Sequence, residues 1–406
     1  MHHSKWISAF VAVALIGCGG TSGVDGGTGG GSGGGTGTGT GTGGGTAGFA
    51  CTTGALFAGN PLHADPMQRP SDGTGLLEDP PFAYRTVVFS QGQVITHNGQ
   101  EIWRASLTDK RLHKVAGTES GQALITGPCA NARFSNIFHL VLASDGSLFV
   151  SDQTANTILK ITDPLGTGCT VSHFAGTPMD IQPGIINPNN PPNVGNVEGP
   201  GATAKFGLPE RMAIDPNGNL YVWDNANNSI RKITSAGVVS TLVTSVGGSG
   251  GGAVMSETFL ANKLYVWGKS GNDIFLAEFD PTTGARRDLV TGRADKFGGN
   301  SSDSQSLGGL VNDGTALILF FNGQLFRVTT AGAVSAPLAG VYRPGLSYSA
   351  GYDPKVSRAA ALLEVPLSGQ IAVAGVDSFL GIDSSNDLYI SSTETSGYVL
   401  QVDCGP

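Results

Sequence analysis

The stretch "GNLYVWDNANNSIRKITSAGVVSTLV", residues 218–243, decides the fold. A glycine turn leads into an apolar run, an Asp and an Asn-rich turn follow, and two further short runs complete the unit. Side chains that alternate between two apolar sets are typical of a strand that is buried on both faces. The stretch therefore predicts consecutive short antiparallel strands joined by tight turns.

The same pattern stands earlier in the chain. The segment "FSNIFHLVLASDGSLFVSDQTANTILKIT" (134–162) aligns without a gap on "FGLPERMAIDPNGNLYVWDNANNSIRKIT" (206–234). A match of this length indicates an internal repeat, and a repeat of this order is typical of a propeller or a solenoid. Both units continue into a fourth apolar run, and four short antiparallel strands per unit predict propeller blades.

Polar residues recur at fixed places in the two units. Asp152 and Asp224 follow the second predicted strand, and we expect their carboxylates to cap the next turn. Asn156 and Asn228 suit a left-handed turn position, which Asn tolerates better than most residues.

The core "NLYVWD…NN.I.KIT…G.V.TL" resembles the NHL repeat, and the resemblance implies an all-β, six-bladed β-propeller with four-stranded blades. The unit at 133–176 is a second close match. Weaker copies complete a set of six inner hairpins, and they are "TVVFSQGQVITHNGQEIWRAS" with "LHKVAG", "NKLYVWGKSGNDIFLAEFD" with "RRDLVTG", "ALILFFNGQLFRVTTAG" with "APLAG", and "FLGIDSSNDLYISSTETSGYVLQVD".

The last copy ends without a fourth strand, and the start of the domain supplies a candidate. The segment "CTTGALFAG" (51–59) resembles "CTVSHFAG" (169–176), the fourth strand of a good blade. We therefore expect an N-terminal strand to close the last blade, which removes the two open sheet edges. This places Cys51 beside Cys404 as a disulfide and leaves Cys129 to pair with Cys169. Four buried free thiols are the alternative.

The N-terminal residues predict export and a lipid anchor. Lys5 precedes an apolar run that is too short for an ordinary membrane span, so residues 1–17 are interpreted as a signal peptide. "LIGC" resembles the lipobox of bacterial lipoproteins, which makes Cys18 the lipidated residue; a plain signal peptide with an accidental Cys is the alternative. Residues 18–48, rich in Gly, Thr and Ser, predict a disordered tether, and 49–406 the propeller.

Charge and cysteine content exclude several classes of function. The chain of 406 residues carries a formal net charge of −8 and no basic cluster, which argues against a nucleic-acid partner. Its five cysteines form no C-x-x-C, so they indicate neither a zinc knuckle nor a thioredoxin-type pair. They fit an oxidising compartment.

The candidate site is the channel mouth, where the inner strands begin. Long loops that connect the blades are predicted to converge there, at 60–82, 118–132, 177–205, 292–306 and 341–375. The residues aligned at these strand starts are one acid, two arginines, one His, one Ser and several aromatics. This mixture suits a polar or anionic ligand and does not suit a tight metal site. Aligned positions at the strand starts hold Tyr84, Arg85, Phe138, His139, Glu210, Arg211, Ser378 and Phe379. The alternative for Arg85 and Arg211 is that each pairs with a neighbour such as Glu210 and only holds adjacent blades together, and the alternative for the long loops is surface decoration.

No catalytic motif stands out elsewhere. His63 and His97 lack acidic partners in sequence, and "SIRK" at 229–232 fits S-x-x-K only formally because it lies on a repeat strand. His113 and His173 are placed on fourth strands. Turn positions of the repeat hold Asp145, Asp215, Asp313 and Asp383.

Together these features predict an exported, lipid-anchored, monomeric binding or scaffolding module at a bacterial cell envelope, without a cofactor or metal. The partner is an unknown protein, peptide or glycan of the envelope, and the lipid anchor holds the chain at the outer membrane or cell surface rather than the inner membrane. The alternative is an envelope enzyme of the six-bladed lactonase or lyase type with its site at the channel mouth.

Overall fold

The computed structural model of the chain describes residues 50–58, 86–108, 111–118, 124–177, 193–247, 252–271, 273–292, 308–321, 324–336, 338, 378–392 and 399–405. The chain separates into two units, 1–46 and 47–406, and every described residue belongs to the second. The predicted signal peptide, Cys18 and the whole tether lie outside the described residues, so the proposed domain limits stay predictions.

The described residues form strands, turns and two short 3-10 segments at Cys129–Asn131 and Asn225–Asn227. The strands are β1 (Ala50–Ala58), β2 (Val87–Ser90), β3 (Gln93–His97), β4 (Glu101–Ser106), β5 (Leu112–Gly117), β6 (Gly127–Pro128), β7 (Ile137–Leu142), β8 (Leu148–Asp152), β9 (Thr157–Thr162), β10 (Thr170–Ala175), β11 (Gly199–Pro200), β12 (Pro209–Ile214), β13 (Leu220–Asp224), β14 (Ser229–Ile233), β15 (Val238–Thr244), β16 (Gly252–Leu260), β17 (Lys263–Ser270), β18 (Asp273–Phe279), β19 (Arg286–Gly292), β20 (Leu310–Asn312), β21 (Leu317–Phe321), β22 (Gln324–Val328), β23 (Ser378–Ile382), β24 (Leu388–Ser392) and β25 (Val399–Gly405).

These strands make six antiparallel sheets, which are the blades. In chain order the sheets are β2–β5, β6–β10, β11–β15, β16–β19, β20–β22, and β23–β25 with β1. The innermost strands β2, β7, β12, β16, β20 and β23 contact one another in that order, and β23 contacts β2 again. The protein is a six-bladed β-propeller. In the fifth blade, Ser335 N and Leu338 N donate to carbonyls of β22, so part of the predicted "APLAG" strand runs beside it.

The sixth blade contains both ends of the described chain. Strand β1 pairs antiparallel with β25, and Cys51 stands opposite Cys404 in the pairing. The two cysteines form a disulfide, and a second disulfide joins Cys129 to Cys169 within the second blade. The predicted closing strand and the predicted cysteine pairing are therefore confirmed.

The repeated polar residues cap turns and take left-handed turn positions, as the sequence predicts. The Asp152 carboxylate accepts backbone N–H bonds from the turn that follows it and from Ser135 and Asn136 at the start of the unit. Asn156 and Asn228 have φ of 54° and 47°, the left-handed conformation. These buried carboxylates tie the second strand of a blade to the segment that enters its inner strand.

Asp224 has the same place in the third blade and a further partner. Its carboxylate accepts from Gly207 N and, at 3.0 Å, from Arg231 Nη1, with both side chains fully buried. Arg231 also donates to two backbone carbonyls, those of Lys205 and Val197. The "SIRK" segment is thus part of the blade's framework, as its place on a repeat strand predicts.

The remaining repeat residues are structural too. His97 ends the second strand of the first blade, is fully buried, and accepts a hydrogen bond from Gly99 N at 3.3 Å. His113 and His173 lie on fourth strands, as predicted. The carboxylates of the four turn positions each accept backbone N–H bonds of their own turn, at Asp145, Asp215, Asp313 and Asp383.

Two blades have a fifth, outermost strand that the sequence analysis missed. β6 pairs with β10, and β11 pairs with β15. The described parts of the loops 118–132 and 177–205 therefore run partly along the outer edge of the blade that they enter, and the expectation that these loops converge on the mouth is wrong for those parts. The cause is backbone hydrogen bonding, because each segment pairs with the exposed edge of a fourth strand before the chain turns inward. The loops 60–82 and 341–375, and the loop 292–306 beyond Gly292, lie outside the described residues.

The core lies between neighbouring blades. The second strands are buried on both faces, and the largest side chains there are Trp223 and Trp267 in the third and fourth blades. Trp223 packs in a cluster shared by these two blades, and Trp267 packs against the fifth. This inter-blade packing holds the inner strands in a closed ring and so positions the residues at their starts.

Candidate functional site at the start of the inner strands

Three neighbouring inner strands are irregular where they begin. A bulge separates Ile137 from His139 in β7, a longer one separates Pro209 from Met212 in β12, and another separates Val254 from Ser256 in β16. A bulge interrupts the ladder and re-aims side chains, and bulges are over-represented beside functional sites. The predicted site residues Phe138, Glu210 and Arg211 are the bulged residues of the second and third blades.

Arg211 is the buried cation of this region. Only 4% of its surface is exposed, and its guanidinium lies 5.8 Å from the centre of the Phe138 ring in the neighbouring blade. Its charge also reaches His139: burial, and then the positive charge of Arg211, lower the pKa of His139 from 6.5 to about 3. His139 is therefore a neutral imidazole at physiological pH.

Glu210 is held by hydrogen bonds from two blades. Its Oε1 accepts from Gln153 Nε2 at 2.8 Å and from Asn225 Nδ2 at 2.6 Å, and Asn136 Nδ2 donates to Gln153 Oε1 at 3.1 Å. The fully buried Ser151 links the backbones of the two strands, because its Oγ donates to Glu210 O and accepts from His139 N. The acidic side chain is thus fixed in place, which favours a preformed site.

Glu257 adds a second acidic residue from the fourth blade. The residue as a whole is half-buried, but both carboxylate oxygens are buried and neither has a hydrogen-bond partner. Burial raises the pKa of Glu257 to about 8; the charge of Arg211 opposes this shift and the charge of Glu210 adds to it. The carboxyl is therefore mostly protonated at neutral pH and available as an O–H donor.

The structure brings together some of the predicted site residues and leaves others outside its described part. Phe138, His139, Glu210 and Arg211 lie at adjacent strand starts, while Tyr84 and Arg85 lie outside the described residues. Ser378 and Phe379 begin β23, as predicted, but their side chains are not described. Their roles in ligand binding remain predictions.

Glu257 was missed by the sequence analysis. Its inner strand, "GAVMSETFL" (252–260), lacks the turn and Asp signals of the two clear repeats. A signal was nevertheless present, since Glu257 is a lone carboxylate in an otherwise uncharged strand that directly precedes the hairpin beginning at Asn262.

The described residues lack two features that other kinds of site require. They contain no group of three or more His, Cys, Asp and Glu side chains placed to hold a metal ion. No helix among them is both long and apolar enough to span a bilayer.

Known proteins resemble this chain in fold. Neither a protein-family model nor a curated protein matches its sequence. An auxiliary nutrient binding protein from Bacteroides ovatus superposes with a TM-score of 0.54 at 12% identity, covering 88% of this chain and 78% of its own. A second auxiliary nutrient binding protein, from Bacteroides thetaiotaomicron, has a TM-score of 0.53 at 12% identity over 88% and 77% of the two chains.

A virginiamycin B lyase from Staphylococcus aureus matches with a TM-score of 0.45 at 14% identity, over 79% of this chain and 94% of its own. At these identities the likenesses show the propeller fold alone, and the lyase score is too low to carry an argument. The NHL resemblance therefore stays a prediction.

The arrangement combines one buried cation, one fixed carboxylate, one neutral carboxyl and one neutral imidazole on three adjacent blades. Arg presents a planar fork of donors that matches a carboxylate or phosphate. A protonated carboxyl beside it adds a neutral donor without adding a competing negative charge. This combination suits the recognition of an anionic group.

Proposed function

We propose that the protein is an exported, lipid-anchored binding module of a bacterial cell envelope, with its ligand site where the inner strands of the second, third and fourth blades begin. One observation carries the proposal: both carboxylate oxygens of Glu257 are buried within reach of the charge of the buried Arg211, and neither oxygen makes a hydrogen bond. A buried polar group without a partner costs about 1–3 kcal/mol, so such a group points to a ligand-binding role.

Other features support the setting of this function. The two disulfides are typical of an oxidising compartment, which agrees with export. The lipobox-like "LIGC" and the glycine-rich tether favour attachment through Cys18, at the outer membrane or cell surface rather than the inner membrane. We propose a monomer whose partner is an anionic component of the envelope or its surroundings, and no nucleic acid.

The titles of the two Bacteroides neighbours name nutrient binding, which agrees with a binding role for this chain. Their sequence identity to this chain is too low for their ligands to be assigned to it. The choice of an anionic ligand therefore rests on the chemistry of Arg211 and not on the neighbours.

A defined panel tests the proposal. Immobilised glycans and peptides, each present in an acidic and a neutral form, are probed with the purified full chain. Wild type should bind acidic members, and Arg211→Ala should lose at least tenfold in affinity. Arg104→Ala is the matched control, because Arg104 lies on the third strand of the first blade and donates to Gln93 there.

Two results would overturn the proposal. One is that no acidic member binds, and the other is that Arg211→Ala binds as well as wild type. If Arg211→Ala melts far below wild type, Arg211→Lys replaces it, since Lys keeps the charge but lacks the planar fork. Unchanged binding by a folded Arg211→Lys together with a destabilised Arg211→Ala would make Arg211 a structural residue.

An envelope enzyme of the lactonase or lyase type is the second candidate. The observation that favours it is Glu257, because a carboxyl that stays protonated near neutral pH can act as a general acid. Elemental analysis of the purified chain and mass spectrometry of each panel member after incubation distinguish the two functions. Stoichiometric metal together with a shortened or rearranged panel member favours the enzyme, and unchanged members favour the binding module.

A further inference from the structure

The strands that flank Glu257, which is itself the charged residue of β16, carry few charged groups. The flanking strand β12 supplies Arg211 and Glu210, whose charges act on it. The other flanking strand, β20, contains Leu310–Asn312 and no charge. Its hairpin partner β17 carries Lys263 and Lys269, and Lys263 is bonded to Asp280 at 2.7 Å. Glu257 therefore faces one cation and one carboxylate across the blade boundary, and it has a hydrogen bond to neither.

A row of amides lies at the same end of the neighbouring blades. Asn136, Gln153 and Asn225 are half-buried and are linked to one another or to Glu210 by the hydrogen bonds described above. A primary amide has two donor hydrogens and two acceptor lone pairs, so each keeps capacity beyond these bonds. Groups that both donate and accept match hydroxyls, which also do both, better than they match an apolar surface.

We propose that Glu257 is a ligand-binding residue and that the site takes a sugar acid, with the ligand carboxylate between Arg211 and Glu257 and its hydroxyls on the amide row. This inference rests on the proposed function and names its ligand class. A peptide carboxylate would also satisfy Arg211, and its backbone offers N–H donors and C=O acceptors to the amide row. Each hydroxyl of a sugar acid donates and accepts at one atom, as the amide row does over its length, so the sugar acid is the better match.

The protonation states support this assignment. Glu257 is protonated at neutral pH, so its O–H donates to an incoming carboxylate, and the neutral His139 adds no charge. Deprotonation of Glu257 would place a negative charge against the ligand carboxylate. Binding should therefore weaken as pH rises through about 8, the value to which burial raises the pKa of Glu257.

Isothermal titration of the full chain with trigalacturonate tests the inference, with the methyl ester of trigalacturonate as the neutral control and trialanine as the peptide carboxylate. Wild type should bind trigalacturonate about tenfold more weakly at pH 9 than at pH 6, because at pH 9 about nine-tenths of a group with a pKa of 8 is ionised. Glu257→Gln keeps a donor at every pH and should change less than twofold over this range. Glu198→Gln, at a carboxylate that bonds Thr241 N in the third blade, should behave as wild type.

A second measurement needs no variant. Titrations of wild type at pH 8 in buffers of different ionisation enthalpy should show proton uptake on binding, because the ligand carboxylate favours the protonated form of Glu257. The absence of uptake, or an identical pH profile in Glu257→Gln and wild type, would overturn the role of Glu257. Equal affinity for the methyl ester or tighter binding of trialanine would overturn the sugar-acid class. If wild type binds other acidic members of the panel but not trigalacturonate, this inference fails while the proposed function stands.

Discussion

The two disulfides offer a stability comparison inside one molecule. Cys51 and Cys404 are separated by 353 residues, whereas Cys129 and Cys169 are separated by 40. In the chain-entropy model the stabilisation grows with the logarithm of the loop length, which gives about 6 kcal/mol for the first pair and about 4 kcal/mol for the second at 25 °C. The model therefore predicts that removing the first disulfide costs roughly 2 kcal/mol more.

The structure adds a second reason for the same order. Among the described strands, β1 pairs only with β25, so the first disulfide also fastens the strand that closes the ring. The removal of a buried sulfur affects both pairs alike, because Cys404 and Cys129 are each buried. The difference between the two pairs should thus report loop length and ring closure rather than core packing.

The assay is urea unfolding of the purified full chain, followed by tryptophan fluorescence. Cys51→Ala with Cys404→Ala is compared with Cys129→Ala with Cys169→Ala, and the midpoint and slope give each free energy of unfolding. The first double variant should be the less stable. Equal losses, or a larger loss in the second variant, would refute the claim that the N-terminal strand and its disulfide close the ring.

Three further predictions concern separate features. A fatty-acid probe should label wild-type cells and not Cys18→Ser, and equal labelling would exclude lipidation at that residue. Arg231→Met should lower the free energy of unfolding by about 3–5 kcal/mol because it leaves Asp224 buried without its cation, whereas Lys160→Met, which breaks an exposed ion pair, should cost less than about 1 kcal/mol by chemical denaturation. The pKa of Glu257 in the folded chain lies above the ordinary value of 4.5, so between these two values the folded chain binds a proton that the unfolded chain has released. Wild type should therefore lose stability relative to Glu257→Gln as pH rises from about 5 to about 8, on the order of a few kcal/mol. Parallel pH profiles of the two proteins would contradict this.

Much of the fold can be predicted because its determinants are local. The turn carboxylates and left-handed Asn residues of each clear unit are close in sequence to the strands that they connect, and ring closure is visible because 51–59 resembles another fourth strand. The outer strands β6 and β11 carried a similar signal, since "ITGPCANARF" (125–134) and "VEGPGATAKF" (197–206) extend the same alignment upstream. Two-residue strands do not show alternation, so their pairing is evident only in three dimensions.

The site could be predicted only in part. Alignment of the repeats locates the start of each inner strand, and this position predicted His139, Glu210 and Arg211 as site residues. Burial and charge coupling between blades depend on strands that are distant in sequence, and Glu257 lies 46 residues beyond Arg211 (257 minus 211). Bulges shift which side chain points at a neighbour, so a one-residue irregularity in β12 or β16 changes the outcome in a way that a repeat pattern does not record.

The most direct test of a ligand site at the inner-strand starts is hydrogen–deuterium exchange of the full chain with and without saturating trigalacturonate. The bulges at Phe138 and at Glu210–Arg211 interrupt the ladders of segments 137–139 and 209–212, so the amides at the bulges should exchange measurably in the unbound protein. We expect the ligand to slow exchange in these two segments and around Glu257, and to leave the fourth strands β5 and β15 unchanged. Slowed exchange confined to the fourth strands, or no change in any of the three inner segments, would contradict a ligand site at the inner-strand starts.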